Sequence, residues 1–222
     1  MRMRLYLTDL VYRFKLFGHY GYQLAGFWIL IAKPFFALVR HSLTQIDPTR
    51  PAKQWQLSDE GRRRCITLAQ ELLPYKPDLV VTSVESKAME TGRILASELG
   101  LPYKTAPGLH EHERSKTGWT GIEQFHIIIA DFFAQPEVLV FGDETAKEAK
   151  QRFSQAVQNV LAAHPKDNVA IVSHGTVITL LVAELLNEEP FPFWERLGLP
   201  AFLVFSRRDR RLLAQVNTIT PN

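Results

Sequence analysis

The chain has a single cysteine, Cys65, among 222 residues, so it forms no internal disulfide and suits a reducing compartment. No Cys/His spacing of a zinc site accompanies it. Charge of one sign is scarce too: 26 Lys and Arg face 23 Asp and Glu, a net of +3. That excess is too mild to point to nucleic acid. There is no internal repeat and no low-complexity tract, which removes solenoids and biased linkers from consideration. Nor does any apolar run reach the ~20 residues of a bilayer span. The nearest, from Leu24 to Ala32, is about half that length.

What is present divides unevenly. Residues 1–33 carry Arg2, Arg4, Arg13 and Lys15, followed by an aromatic-rich apolar stretch. The combination resembles a secretory signal, but no small-x-small cleavage site follows. Three readings stay open for this extension: an interfacial helix giving peripheral membrane contact, a helix packed on the domain or a second subunit, or an extension from an upstream start. Residues 34–222 read as one domain, long enough for one good-sized core. The expected location is cytoplasmic, with membrane association added under the first of the three.

The domain is organised around Phe35-Phe36-Ala37-Leu38-Val39-Arg40-His41. A short apolar run without a 3.6 period reads as a strand buried on both faces. Arg40 and His41 then fall at its carboxyl end, where open α/β sheets bind ligands. Arg offers a planar fork for phosphate, and a neutral His offers a nucleophilic nitrogen. The same grammar returns twice. Asp78 to Ser83 is a strand ending in hydroxyls, followed by a helix from Glu85 to Leu99 with Lys87 on its first turn. Val169 to Val172 is a strand ending in Ser173-His174-Gly175, followed by an apolar helix from Val177 to Leu186. Helix N-termini at strand ends attract anions. Between these copies, Ser58 caps a helix with Ile66, Ala69, Leu72 and Leu73 expected inward, and Asp143 to Ala163 is an amphipathic helix striped by Ala149, Phe153, Ala156, Val157, Val160 and Leu161. Gly121 to Phe133 reads as a partly buried helix that could cover the site. Phe202 to Ser206 and Leu212 to Val216 read as a closing strand pair.

The segment Leu109-His110-Glu111-His112-Glu113-Arg114 admits two chemistries. Alternation on a strand would put His110 and His112 on one face as metal ligands, two being too few for a closed site. Otherwise the segment is a loop carrying one acid able to protonate a leaving oxygen. Alternation points Glu111 and Glu113 the same way, so spacing alone does not choose between them.

Taken in order, these segments resemble the histidine phosphatase superfamily, the phosphoglycerate-mutase-like proteins. The likeness covers about Pro34 to Val216. Leu38-Val39-Arg40-His41 resembles the Arg-His signature, and Thr44 falls where the family has its Thr. Leu57-Ser58-x-x-Gly61 and Ser83 to Thr91 resemble the next two segments. Leu109-x-Glu111 with Gly118-x-x-Gly121 resembles the acid-bearing segment, and Ser173-His174-Gly175 the second histidine motif. The resemblance implies an α/β three-layer sandwich, a mostly parallel central sheet with helices on both faces. It implies a metal-independent phosphatase hydrolysing a small phosphomonoester through a phosphohistidine, with no cofactor. His41 is then the nucleophile, Glu111 the acid, and Arg40, Lys87 and His174 the holders of the phosphoryl oxygens.

Three positions depart from the family pattern. Ser42 replaces a Gly, Asp47 replaces the Asn of the mutases, and Lys87 replaces an Arg, losing the bidentate fork that Arg114 could supply instead. Lys87 and Ser42 keep one other function in play, a regulatory protein binding a phosphate ligand on an impaired site; a mutase-type phosphotransferase is a further alternative, against which Asp47 and the short chain between Gly61 and Ser83 count.

Overall fold

In the computed structural model, residues 34–114 and 121–220 are described; the readings of segment 1–33 and of Gly118 lie outside them. Six strands form one sheet in the order β3-β2-β4-β1-β5-β6. They are β1 (Phe35–Arg40), β2 (Leu79–Thr82), β3 (Tyr103–Thr105), β4 (Val169–Ser173), β5 (Ala201–Ser206) and β6 (Leu212–Val216). The first four run parallel; β5 lies antiparallel to β1, and β6 to β5. β1, β2 and β4 are central and buried along nearly their whole length, which is why they appear in the sequence as continuous apolar runs rather than alternations.

The helices are α1 (Asp59–Leu72), α2 (Ser86–Leu99), α3 (Ile122–Ala134), α4 (Ala146–Ala163), α5 (Gly175–Leu186) and α6 (Pro190–Arg196). One sheet face buries Leu68, Ala69 and Leu72 of α1 with Ala88, Leu95 and Ala96 of α2. The other buries Phe132, Phe153, Val157, Val177 and Leu181 from α3, α4 and α5. The three layers of the expected sandwich are therefore present. Neighbouring strands β1 and β4 send their following helices to opposite faces, which opens a crevice at their carboxyl ends.

Local signals explain most boundaries. Ser58 accepts from the Gly61 N–H at 3.0 Å and starts α1. Thr145 and Glu148 form a reciprocal capping box that starts α4. One phase differs from expectation. On α1 the buried residues include Cys65 and Leu68, whereas Ile66 and Leu73 are exposed. Gly61 sets this phase, because its Cα faces the Leu43 carbonyl and turns Cys65 and Leu68 inward with it. Among the described residues no helix is long and apolar enough to cross a membrane.

Candidate active site

Sheet pairing continues past the strand ends and assembles the site. The His41 N–H donates to the Ser173 carbonyl at 2.9 Å, and the Ser83 N–H to the Val172 carbonyl at 2.9 Å. Backbone bonds thus hold the residues after β1, β4 and β2 side by side. The His41 and His174 rings lie 5.2 Å apart, tilted edge to face.

Nδ1 of His41 stands 2.8 Å from the Ser42 carbonyl. A carbonyl only accepts, so Nδ1 carries the proton and Nε2 keeps its lone pair. Burial, then His174, Lys87 and Arg40, push the His41 pKa well below the ordinary imidazole value. The ring is neutral at physiological pH.

The Arg40 guanidinium donates to the Leu197 carbonyl and lies 6.0 Å from the Trp194 ring. Burial lowers its pKa to about 10 against the opposing pull of Glu111, so it stays charged. Its Nε is buried without a hydrogen-bond partner among the described residues. His174 is fully buried, with Nε2 2.8 Å from the Ser83 hydroxyl and Nδ1 without a hydrogen-bond partner among the described residues. Burial pulls its pKa down to about 4, although Glu85 and Glu111 push it up.

The acid-bearing segment is a loop, not a strand, and the two glutamates part company. Glu111 turns inward, its carboxylate accepting the N–H groups of Thr176 at 3.2 Å and Val177 at 3.3 Å on the first turn of α5. Burial pushes its pKa up, but His174, Arg114 and the His112 N–H outweigh this and leave it lowered. Glu113 turns outward, half exposed, and pairs with His110 at 2.9 Å. His112 points elsewhere, with Nε2 2.9 Å from the Glu144 carbonyl and its ring against Phe132 and Phe141. The alternating His and Glu residues therefore do not converge. Among the described residues no group of three or more His, Cys, Asp or Glu could hold a metal.

Two of the three departures have structural explanations. The buried Ser42 hydroxyl donates to the Gly61 carbonyl at 2.7 Å, so it braces α1. Asp47 is bound to Thr49 at 2.6 Å and paired with Arg50 at 3.3 Å in an exposed turn. Lys87 is the third. Its ammonium, buried, reaches the Ala52 carbonyl at 2.9 Å and the Glu85 carboxylate at 2.6 Å. Arg114 lies with its guanidinium 4.7 Å from the Phe125 ring, and its buried Nη1 has no partner among the described residues. A cavity of about 780 Å³ meets the rim at Glu85, Lys87 and Glu111 and is walled by Trp55, Arg114, Phe125 and Phe141.

Residues 36–208 match the family model for the histidine phosphatase superfamily, branch 1. The chain belongs to that superfamily. A curated relative, an uncharacterized phosphatase named PhoE from Bacillus subtilis (strain 168), is 25% identical over 145 residues. That match covers 60% of this chain and 66% of the relative, a little under two thirds of its length. Among solved structures, phosphoserine phosphatase from Entamoeba histolytica, in complex with phosphoserine, superposes with a TM-score of 0.67 at 17% identity, covering 83% of this chain and 96% of that one. A mycobacterial glucosyl-3-phosphoglycerate phosphatase complexed with VO3 gives 0.64 at 21% identity, covering 83% and 99%. These likenesses share the phosphoglycerate-mutase-like fold described above.

Sequence reasoning missed three participants. Ser83 was seen only as a strand-end hydroxyl, yet it holds His174. Arg152, on a helix assigned only to packing, donates to the carbonyls of Gly108, His110 and Glu111 and so fixes the acid-bearing loop. Glu85 was seen only as the start of α2. The signal for it was there: an acid at an N-cap position two residues before a Lys at the carboxyl end of a strand. In the structure its side chain makes no capping bond, because the carboxylate turns to Lys87 and to the Glu111 N–H, 2.9 Å away.

Proposed function

We propose that this histidine phosphatase hydrolyses a small phosphomonoester by transferring the phosphoryl group to Nε2 of His41. The observation that carries the proposal is the His41 tautomer: a buried, neutral imidazole whose Nδ1 proton is spent on the Ser42 carbonyl, leaving Nε2 free to attack. The Nε2–P bond forms in line as the P–O bond to the leaving alcohol breaks. Arg40, Lys87 and His174 hold the equatorial oxygens, where charge must be stabilised. Glu111 gives its proton to the departing oxygen, then takes one from the water that attacks the phosphohistidine, releasing inorganic phosphate. In the ligand-free site Glu111 favours the ionised form. An arriving phosphoryl dianion pushes its pKa up and supplies the reason to take up a proton. The relatives named for phosphoserine and glucosyl-3-phosphoglycerate support a small phosphorylated substrate.

The second reading, a phosphate-binding regulatory protein, is favoured by one observation: the Lys87 ammonium is already paired with Glu85. One experiment separates the two. Wild-type protein mixed with a phosphomonoester and quenched without acid is expected to carry an acid-labile phosphate on His41. His41→Ala is expected to fold, carry none and lose turnover. Near-normal hydrolysis by His41→Ala would sink the mechanism, and absence of any phosphoenzyme or turnover in wild type would leave the binding role.

A further inference from the structure

Three groups of the site converge on one carboxylate that sequence reasoning had left out. Oε2 of Glu85 accepts from the Lys87 ammonium at 2.6 Å, and Oε1 accepts from the Glu111 N–H at 2.9 Å. Oε2 also lies 3.9 Å from Nδ1 of His174, an imidazole nitrogen with no hydrogen-bond partner among the described residues. The side chains of Glu85 and Lys87 are only 11% and 6% exposed, so water screens these contacts little.

A buried carboxylate amid phosphate-binding groups needs a reason, because it repels the anion that the site is meant to hold. Charge balance supplies one. With both imidazoles neutral, the cations Arg40, Lys87 and Arg114 outnumber the carboxylates Glu85 and Glu111 by one charge, less than a dianion brings. A dianion entering such a pocket is accommodated only if positive charge arrives with it. A proton on Nδ1 of His174 would meet Glu85 directly.

Resting on the reading of this pocket as a phosphate site, we propose that Glu85 is a positioning residue: it fixes the Lys87 ammonium and the Glu111 backbone, and it stabilises a proton taken up at Nδ1 of His174 when a phosphoryl anion binds. The charged and titratable groups facing His174 are Glu85 and Lys87 at the start of α2, Glu111 and His110 in the acid-bearing loop, Arg40 at the end of β1 and His41 just after it. Burial is the largest influence on His174 and opposes its protonation; Glu85 is the next largest and favours it. Glu85 itself stays ionised. Burial pushes its pKa up, but His174, Lys87 and the Glu111 N–H hold it well below the usual carboxylate range, so it serves as a counter-charge and not as a proton donor.

The test uses tungstate, a phosphate mimic that stays dianionic across the neutral range. Calorimetric titration of wild-type protein in two buffers of different ionisation enthalpy is expected to show about one proton taken up per tungstate bound in the pH range between the free-state and bound-state pKa of His174, with affinity falling about tenfold per pH unit across that same range. In Glu85→Gln that descending limb is expected to move to lower pH by about 1–3 units, the range for loss of one close opposite charge. Glu85→Asp, which keeps the charge, is expected to restore most of the limb's position. Proton uptake near zero in wild type overturns the inference without recourse to any variant. A limb that stays in place in Glu85→Gln while affinity drops equally at every pH overturns it as well, since that is what a merely structural residue would do. Wild-type protein that binds no tungstate at any pH rejects the phosphate-site reading itself, a result distinct from both.

Discussion

A methyl group on Gly175 would stand 2.7 Å from Nε and 2.8 Å from Cζ of Arg40. Gly175 opens α5 directly after His174, and Arg40 closes β1, so the guanidinium lies against a helix start where only hydrogen fits. Gly175→Ala is therefore expected to push the guanidinium off the Leu197 carbonyl. The clash falls on the far end of a long side chain, so the fold tolerates it, while the phosphate-holding geometry does not. Thermal unfolding should stay close to wild type, and kcat/KM for a phosphomonoester should fall by about 10–100-fold, the scale of one lost charge-assisted donor. An unchanged kcat/KM would mean that Arg40 does not touch the reacting group.

Gly61 makes the opposite case. A Cβ there would lie 2.0 Å from the Leu43 carbonyl oxygen, which is backbone and cannot swing aside. The same Leu43 carbonyl accepts the Ser58 N–H at 3.0 Å, so the loop after His41 and the start of α1 are pinned together. Gly61→Ala is expected to cost about 1–3 kcal/mol or more, lowering the melting temperature by about 3–10 °C. Calorimetry or circular dichroism reads this directly. A variant as stable as wild type would show that α1 shifts freely against this loop.

These two glycines indicate how much the sequence could disclose. The central strands were legible because burial on both faces leaves unbroken apolar runs, and the residues ending them, Arg40, His41, Ser83, Ser173 and His174, were legible as a rim. Gly175 was legible as a glycine allowing close approach after His174, and Gly61 only through family resemblance; what each makes room for, a guanidinium or a backbone oxygen, is distant in sequence. β3 was missed because its three residues are half to fully exposed at the sheet edge. α6 escaped because a seven-residue helix beginning Pro190-Phe191-Pro192 shows no periodicity. Glu85 escaped because its bond to the Glu111 N–H depends on a loop returning 26 residues later, although its spacing to Lys87 was in plain view. The separation of Glu111 from Glu113 follows from that loop lacking the alternation of a strand.

The two buried imidazoles make stability depend on pH with a definite sign. His174 has a folded pKa of about 4 against an ordinary value of 6.5. Between these values the unfolded chain binds a proton that the folded chain refuses, so stability falls as pH drops through that window. For His174 the full loss is about 3 kcal/mol, and His41, also lowered, adds in the same direction. Glu85 and Glu111 are lowered as well, so their contribution is present above the carboxylate range and is lost on further acidification. Urea unfolding at neutral and at mildly acidic pH should show a shallower loss for His174→Asn than for wild type. Equal losses would mean that His174 titrates normally in the folded protein.

Glu111 and Glu113 provide the sharpest test of the chemistry, because the structure sends one to the first turn of α5 and leaves the other half exposed and paired with His110. If Glu111 is the proton donor, its removal hurts in proportion to the leaving group's need for a proton. Glu111→Gln should slow the bond-breaking step with alkyl phosphates within the ~10²–10⁴-fold range of general acid catalysis. With p-nitrophenyl phosphate that step should be slowed far less, since nitrophenolate departs unaided. The second step still needs a base to activate water, so a phosphoenzyme should accumulate with the activated substrate. The Gln side chain keeps only one of the two oxygens that accept from the Thr176 and Val177 N–H groups, so thermal unfolding of the variant is read alongside the kinetics to separate a lost proton donor from a loosened helix start. Glu113→Gln should leave both substrates near wild type, because the half-exposed Glu113 pairs with His110 and not with the first turn of α5. Single-turnover kinetics on both substrates for both variants decides. A leaving-group-dependent defect in Glu113→Gln alone would move the acid to Glu113, and no such defect in either would place it outside this loop.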